Sequence, residues 1–211
     1  MPILAAWPDA ATIRNPGGSQ ATREPEQEGA TRMISDQMTA ALNEQMNREM
    51  YSAYLYMAMS SQANTLGLKG FANWFMVQYH EEMFHAMKFY EYLHSQGGAV
   101  QLKAIGEPPA RFAAPLEMFT KTLEHERFVT RSINDLMDQA IAEKDHATRI
   151  FLQWYVSEQV EEEENDNDMI AQLKLIKDNP HGLLMLDREL AGRMATVPTD
   201  FSKGVSSAAA D

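Results

Sequence analysis

The sequence predicts an all-α fold: a four-helix bundle with one long connection between its second and third helices, plus a short fifth helix at the C-terminal end. Three observations predict it. Apolar residues recur at steps of three and four through four long stretches, the period of one helix face. Turn residues separate those stretches in a short, long, short order. No stretch of useful length alternates with the two-residue period of a strand.

Residues 1–32 hold Pro2, Pro8, Pro16, Pro25 and the Gly17-Gly18 pair without sustained periodicity, and read as a disordered N-terminal extension. Met33 opens a different composition and is a candidate for the biological start. Ser35 is the expected N-cap of the first helix, which runs to about Ala63 and stops at Leu66-Gly67. The second runs from about Lys69 to Gln96 and stops at Gly97-Gly98. Residues 98–114, with Gly106, Pro108 and Pro109, read as a connection that stretches to roughly 55 Å, enough to return along the whole bundle. The third helix starts near Pro115, a favourable first-turn residue, and runs to about Glu143. The fourth spans about Asp145 to Asp178 and ends at Asn179-Pro180-His181-Gly182. LLMLDRELAGRM forms the fifth. The folded domain is thus expected over 33–195, with a disordered tail over 196–211.

Composition narrows the function. The chain has 211 residues and a formal net charge of −12, which argues against nucleic-acid or anionic-membrane partners and suits cations. It has no cysteine, so no disulfide, zinc finger or iron–sulfur cluster forms. No apolar run reaches the roughly 18 residues of a membrane span. The opening MPILAAWPDAATIRNPGGSQ lacks a basic start and an unbroken apolar run, so a cytoplasmic protein is expected.

The inward faces carry the chemistry. They read Met38, Leu42, Gln45, Glu49, Ser52, Tyr56, Met59; then Phe71, Phe75, Gln78, Glu82, His85, Phe89, Tyr92; then Leu116, Phe119, Leu123, Glu126, Thr130, Ile133, Met137; then Leu152, Tyr155, Gln159, Glu162, Asp166, Met169, Leu173. Each apolar stripe is interrupted near mid-helix by a carboxylate. In a bundle of equal helices the midpoints share one height, so Glu49, Glu82, His85, Glu126, Gln159 and Glu162 should converge. Bare anions cannot share a low-dielectric core; they are protonated or they hold cations. One histidine among oxygen ligands suits iron(II) or manganese(II), with carboxylates bridging two ions. Di-metal bundles use one Glu from each of two helices and Glu-x-x-His from the other two. Here Glu82-x-x-His85 is one full copy, and Gln159-x-x-Glu162 stands for the other, so the second metal lacks a histidine and should be held more weakly. A lone Glu-x-x-His, a lone mid-helix glutamate or the run Glu161-Glu162-Glu163-Glu164 has an ordinary reading as solvated helix surface. Four carboxylates in register do not share that reading.

LNEQMNREMYSAYLY, HEEMFH and FLQWYVSEQVEEE resemble the first, second and fourth helix signatures of bacterial non-haem ferritins, and the resemblance covers about residues 33–193. It implies a 24-subunit homo-oligomeric shell that oxidises iron(II) with O2 or hydrogen peroxide and stores a ferric oxyhydroxide core. It implies Glu49, Glu82 and His85 at the first iron site, and Glu82, Glu126 and Gln159 at the second, with Glu82 bridging. It places Tyr56 beside the centre. Glu81, Glu158, Glu161 and Glu162 match an acidic third iron site toward the cavity. A haem-binding bacterioferritin is the nearest alternative, since Met83 follows the bridging position; the fourth helix lacks that group's second Glu-x-x-His, so haem is not expected. A rubrerythrin-like di-iron peroxidase generally has more histidines or a cysteine-rich domain. A DNA-protecting mini-ferritin builds its site between subunits and lacks a fifth helix.

Overall fold

The computed structural model describes residues 33–205. Within them the chain forms α1 (Asp36–Thr65), α2 (Lys69–Ser95), α3 (Pro115–Ala142), α4 (His146–Ile176) and α5 (Pro180–Leu190), with no strand among the described residues. The expected extension over 1–32 and the last six residues of the expected tail lie outside the described residues.

Helix ends follow local chemistry. Ser35 caps α1, its hydroxyl accepting from the Met38 N–H at 2.9 Å. Asp145 does the same for α4 through the Thr148 N–H. Such a cap contributes about 1 kcal/mol. Gly67 and Gly97 take positive φ just past α1 and α2, where a side chain would strain the reversal. The fifth helix differs from its expected bounds. Asn179 does not close α4 but caps α5, accepting from the His181 and Gly182 N–H groups, and Pro180 takes the first turn. Helix α5 stops at Leu190, four residues early, because Arg193 is drawn against α2.

Cross-helix contacts fix the topology. Along α1 and α3, Gln45 meets Ser132, Ser52 meets His125 at 2.7 Å and Met59 meets Thr122 at 3.5 Å, so these helices are antiparallel. Along α2 and α4, Gln78 meets Glu162 at 2.8 Å and Tyr92 meets Thr148 at 2.9 Å, again antiparallel. Met33 at the start of α1 bonds Gln96 at the end of α2, so that pair is antiparallel too. Helices α2 and α3 therefore run parallel, and residues 96–114 must cross the length of the bundle. Asn43 pins this crossover, donating to Ala99 O at 2.9 Å and accepting from the Gln101 N–H at 2.6 Å. The result is a four-helix bundle with one long crossover and a short fifth helix.

The core is divided. One apolar cluster contains Tyr56, Met59, Phe71, Trp74, Phe75, Phe119 and Leu173; the other contains Met38, Leu42, Met46, Phe89, Ile133, Leu136 and Tyr155. Each fully buried large side chain contributes about 1.5–3 kcal/mol of transfer free energy. Between the clusters lies a polar belt at mid-bundle. Beyond α5, residues 196–205 carry no helix, and Val205 packs against α2, its N–H donating to Glu91 at 2.6 Å.

Candidate metal centre

All seven residues of the expected α1 stripe are buried, as are all seven of the α4 stripe. A rigid helix turns sequence spacing into position, so side chains chosen at steps of three and four arrive on one line. Glu49, Glu82, His85 and Glu126 are each no more than 2% exposed. Glu49, Glu82 and His85 come closest: one ligand atom from each lies within 4.8 Å of the others. His85 Nδ1 is 3.5 Å from Glu82 Oε2 and 4.0 Å from Glu49 Oε2. Its Nε2 is buried without a hydrogen-bond partner among the described residues, with Glu158 Oε1 at 3.7 Å. The ring is fixed by packing edge-on against Trp154 and Tyr155, and Tyr155 donates its hydroxyl to the His85 carbonyl at 2.7 Å.

Glu126 and Gln159 are arranged differently. Tyr56 donates its hydroxyl to Glu126 Oε1. The Gln159 amide N–H group donates to Glu126 Oε2 at 3.1 Å and to the Glu126 carbonyl at 3.2 Å. Both carboxylate oxygens of Glu126 are thus engaged by protein donors. For Gln159 to present its oxygen to a cation, the amide must turn over and release Glu126.

The remaining acidic residues are dispersed. Glu162 is buried and held by the Gln78 amide. Glu81 is buried and paired with Arg193 at 2.7 Å. Glu158 is half-buried toward His85, and Glu161 is exposed. Among the described residues they do not form a group as tight as Glu49, Glu82 and His85.

The electrostatics are those of carboxylates gathered away from water. Burial raises the pKa of Glu49, Glu82 and Glu126, with His85 acting in the opposite direction on each. Burial, reinforced by Glu126, pushes Glu162 up to about 8. Burial disfavours the charged form of His85, but Glu82, Glu158 and Glu49 outweigh it and raise its pKa well above the ordinary value. Each of these shifts favours the protonated form, and a bound cation would compete with those protons. His125, adjacent to Glu126, turns instead to Ser52; burial lowers its pKa to about 4, and it stays neutral at pH 7.

Sequence reasoning left four participants without a role. Gln78 and Asp166 stood in the inward stripes as polar interruptions, and that was their signal. Gln45, another such interruption, donates to Glu49 Oε1 at 2.7 Å. Arg193 gave no signal, because it falls within the stretch expected to form the fifth helix, and nothing in that spacing points to a contact with α2.

The chain is similar to several known proteins. The ferritin-like domain family matches residues 39–176, more than half of the chain. A bacterial non-heme ferritin of Campylobacter jejuni is 40% identical over 156 residues, spanning 74% of this chain and 93% of that protein. One from Staphylococcus epidermidis is 40% identical over 161 residues, spanning 76% and 97%. Among solved structures, an open pore ferritin from the archaeon Archaeoglobus fulgidus superposes with a TM-score of 0.76 at 49% identity, covering 76% of this chain and 99% of that one.

Proposed function

This chain belongs to the ferritin family, and from that premise we propose that it stores and detoxifies iron, oxidising iron(II) at an intrasubunit di-iron centre. The observation that carries the reading is the buried trio Glu49, Glu82 and His85, whose ligand atoms converge between two apolar clusters. One nitrogen and several oxygens match the preferences of iron(II). On this reading residues 33–195 are the working domain, with 1–32 an extension and 196–211 a tail.

Iron is the substrate. Glu49 and His85 bind the first ion, Glu126 and Gln159 the second, and Glu82 bridges them. The two iron(II) ions give up one electron each; the pair of electrons and two protons reduce O2 to hydrogen peroxide, or hydrogen peroxide to two waters, and the ferric product moves on to a mineral core. Tyr56 sits one hydrogen bond from the second ion's carboxylate and is placed to tune or relay charge there. Glu81, Glu158, Glu161 and Glu162 make an acidic third site through which ferric ions leave. The subunits assemble into a 24-membered shell. No described helix is long and apolar enough to cross a membrane, and the reading places the protein in the cytoplasm, without haem or nucleic acid.

Aerobic iron(II) loading followed by electron microscopy tests the proposal. Hollow shells with electron-dense cores are expected. Small oligomers, or shells that stay empty while iron precipitates outside, would sink it. An absorption spectrum showing a Soret band would move the assignment to a haem-binding bacterioferritin.

A further inference from the structure

Arg193 is a cation held against the acidic region, with 25% of its side chain exposed. Its backbone is clamped to α2: Asn73 donates to the carbonyls of Leu190 at 3.1 Å and Arg193 at 2.8 Å, and Asp187 accepts from the Gly70 and Phe71 N–H groups at the start of α2. Glycine is required at position 70, since a Cβ there would fall 1.5 Å from the Asp187 carbonyl oxygen. So anchored, the guanidinium lies over the Trp74 ring at 4.6 Å. One nitrogen, Nη2, donates both to Gln78 Oε1 at 2.5 Å and to Glu81 Oε2 at 2.7 Å. Trp74, Gln78 and Glu81 are spaced by four and three residues, one face of α2. Gln78 passes the contact on by donating to Glu162 at 2.8 Å. Arg193 thus fixes two residues of the proposed third site, Glu81 directly and Glu162 through Gln78.

The arrangement is incomplete. The other terminal nitrogen, Nη1, is buried with no hydrogen-bond partner among the described residues. Asp166 is fully buried, and neither of its oxygens has such a partner. It stands one turn of α4 beyond Glu162, about 5–6 Å along the helix face. Buried polar atoms without a partner are costly, and here Arg193 Nη1, a donor, and the Asp166 oxygens, both able to accept, lie in one half of the bundle. An arginine side chain rotating about its long stem can reach from one turn to the next.

We propose that Arg193 is an internal counter-cation that holds Glu81 while the third site is empty, and that a metal ion binding at Glu81 displaces the guanidinium onto Asp166. The ion gains Glu81 and frees Gln78 and Glu162 to adjust, while the arginine completes the unsatisfied Asp166 carboxylate. Arg193 therefore competes with the metal, and Asp166 assists it by receiving the arginine. The inference rests on the third-site reading above.

Opposite signs in two variants test it. Assembled full-length protein is titrated with Zn2+, a redox-inert divalent ion, by calorimetry, and the weakest class of sites is read. Arg193→Gln removes the competitor and should tighten that class about fivefold or more. Asp166→Asn replaces the receiving carboxylate with a neutral amide, a weaker acceptor, and should weaken it by about threefold or more, since the arginine then stays on Glu81. Gel filtration checks assembly, and Asp166→Ser repeats the measurement if the asparagine variant does not assemble. A shared direction, or no change in either variant, overturns the exchange. Glu81→Gln separates the two ideas. If it leaves the weak class intact, the third-site reading falls and the exchange with it. If it removes the class while the other two variants fail to diverge, only the exchange is lost.

Discussion

The two halves of the proposed di-iron centre are prepared to different degrees. Around His85 the ligand atoms already face one another, and the buried Nε2 has no partner among the described residues. Around Glu126 every carboxylate oxygen is already taken, by Tyr56 on one side and Gln159 on the other. The first half is preorganised for a cation; the second is latched shut by its own hydrogen bonds. Opening that latch costs the bonds it contains, each worth about 1 kcal/mol net and more to a charged group. A site that must rearrange binds more weakly by that amount, which suits an ion that is taken up, oxidised and passed on.

The strongest way to break the contrast is to remove what both halves share. Glu82→Ala should cut rapid iron(II) oxidation roughly 100-fold or more, because a bridging ligand serves both ions. Oxidation at the wild-type rate in stopped-flow absorbance would remove Glu82 from the centre. His85→Ala acts on the preorganised half alone. The first Zn2+ equivalent should bind about tenfold to 100-fold more weakly, while gel filtration shows assembly intact, since the apolar stripe around position 85 still packs. A variant that no longer assembled would make His85 a core residue instead of a ligand.

Gln159→Glu sharpens the contrast from the other side. A second carboxylate replaces the amide latch, so the second Zn2+ equivalent should tighten by about tenfold and the gap between the two equivalents narrow. An unaltered gap would place Gln159 outside the second half. Beyond the pair, Glu158→Ala with Glu161→Ala should leave the first two irons per subunit oxidising normally and change rate or oxygen stoichiometry only on later additions. If oxygen consumption on every addition matches wild type, that glutamate run is solvated surface.

The smallest effect concerns pH. Burial, with Glu126 and Glu162 adding to it, raises the pKa of Asp166 to about 9, against an ordinary value of 3.8. Between those values the folded, metal-free protein keeps a proton that the unfolded chain releases. Its stability therefore falls as pH rises from about 4 to about 9, then levels off. Asp166→Asn should flatten the decline in thermal midpoint measured between pH 5 and pH 9 in metal-free protein. Parallel curves for the two proteins would mean that Asp166 ionises freely in the fold.

Much of the site was legible because a helix is stiff and regular. The spacing Glu49–Ser52–Tyr56 on α1, or Gln78–Glu82–His85 on α2, sets which face a side chain takes and how far along the axis it lies. Equal helix lengths then bring the midpoints to one level, and the length of the crossover allows α2 and α3 to run parallel. All of this follows from local geometry and needs no knowledge of a neighbour. The end of α5 was misjudged for the opposite reason: LLMLDRELAGRM has helical character throughout, but contacts with α2 end the helix at Leu190.

What the sequence by itself determined is the set of inward carboxylates and their common height. What only the tertiary structure decided is which of them are free and which are engaged. Tyr56 on Glu126, Gln78 on Glu162 and Arg193 on Glu81 are contacts between segments 70, 84 and 112 residues apart in the chain. A hydrogen bond forms or fails over a few tenths of an ångström. Periodicity places a residue on a face to within a fraction of a turn, so it can name the members of a site but not the partner each one holds.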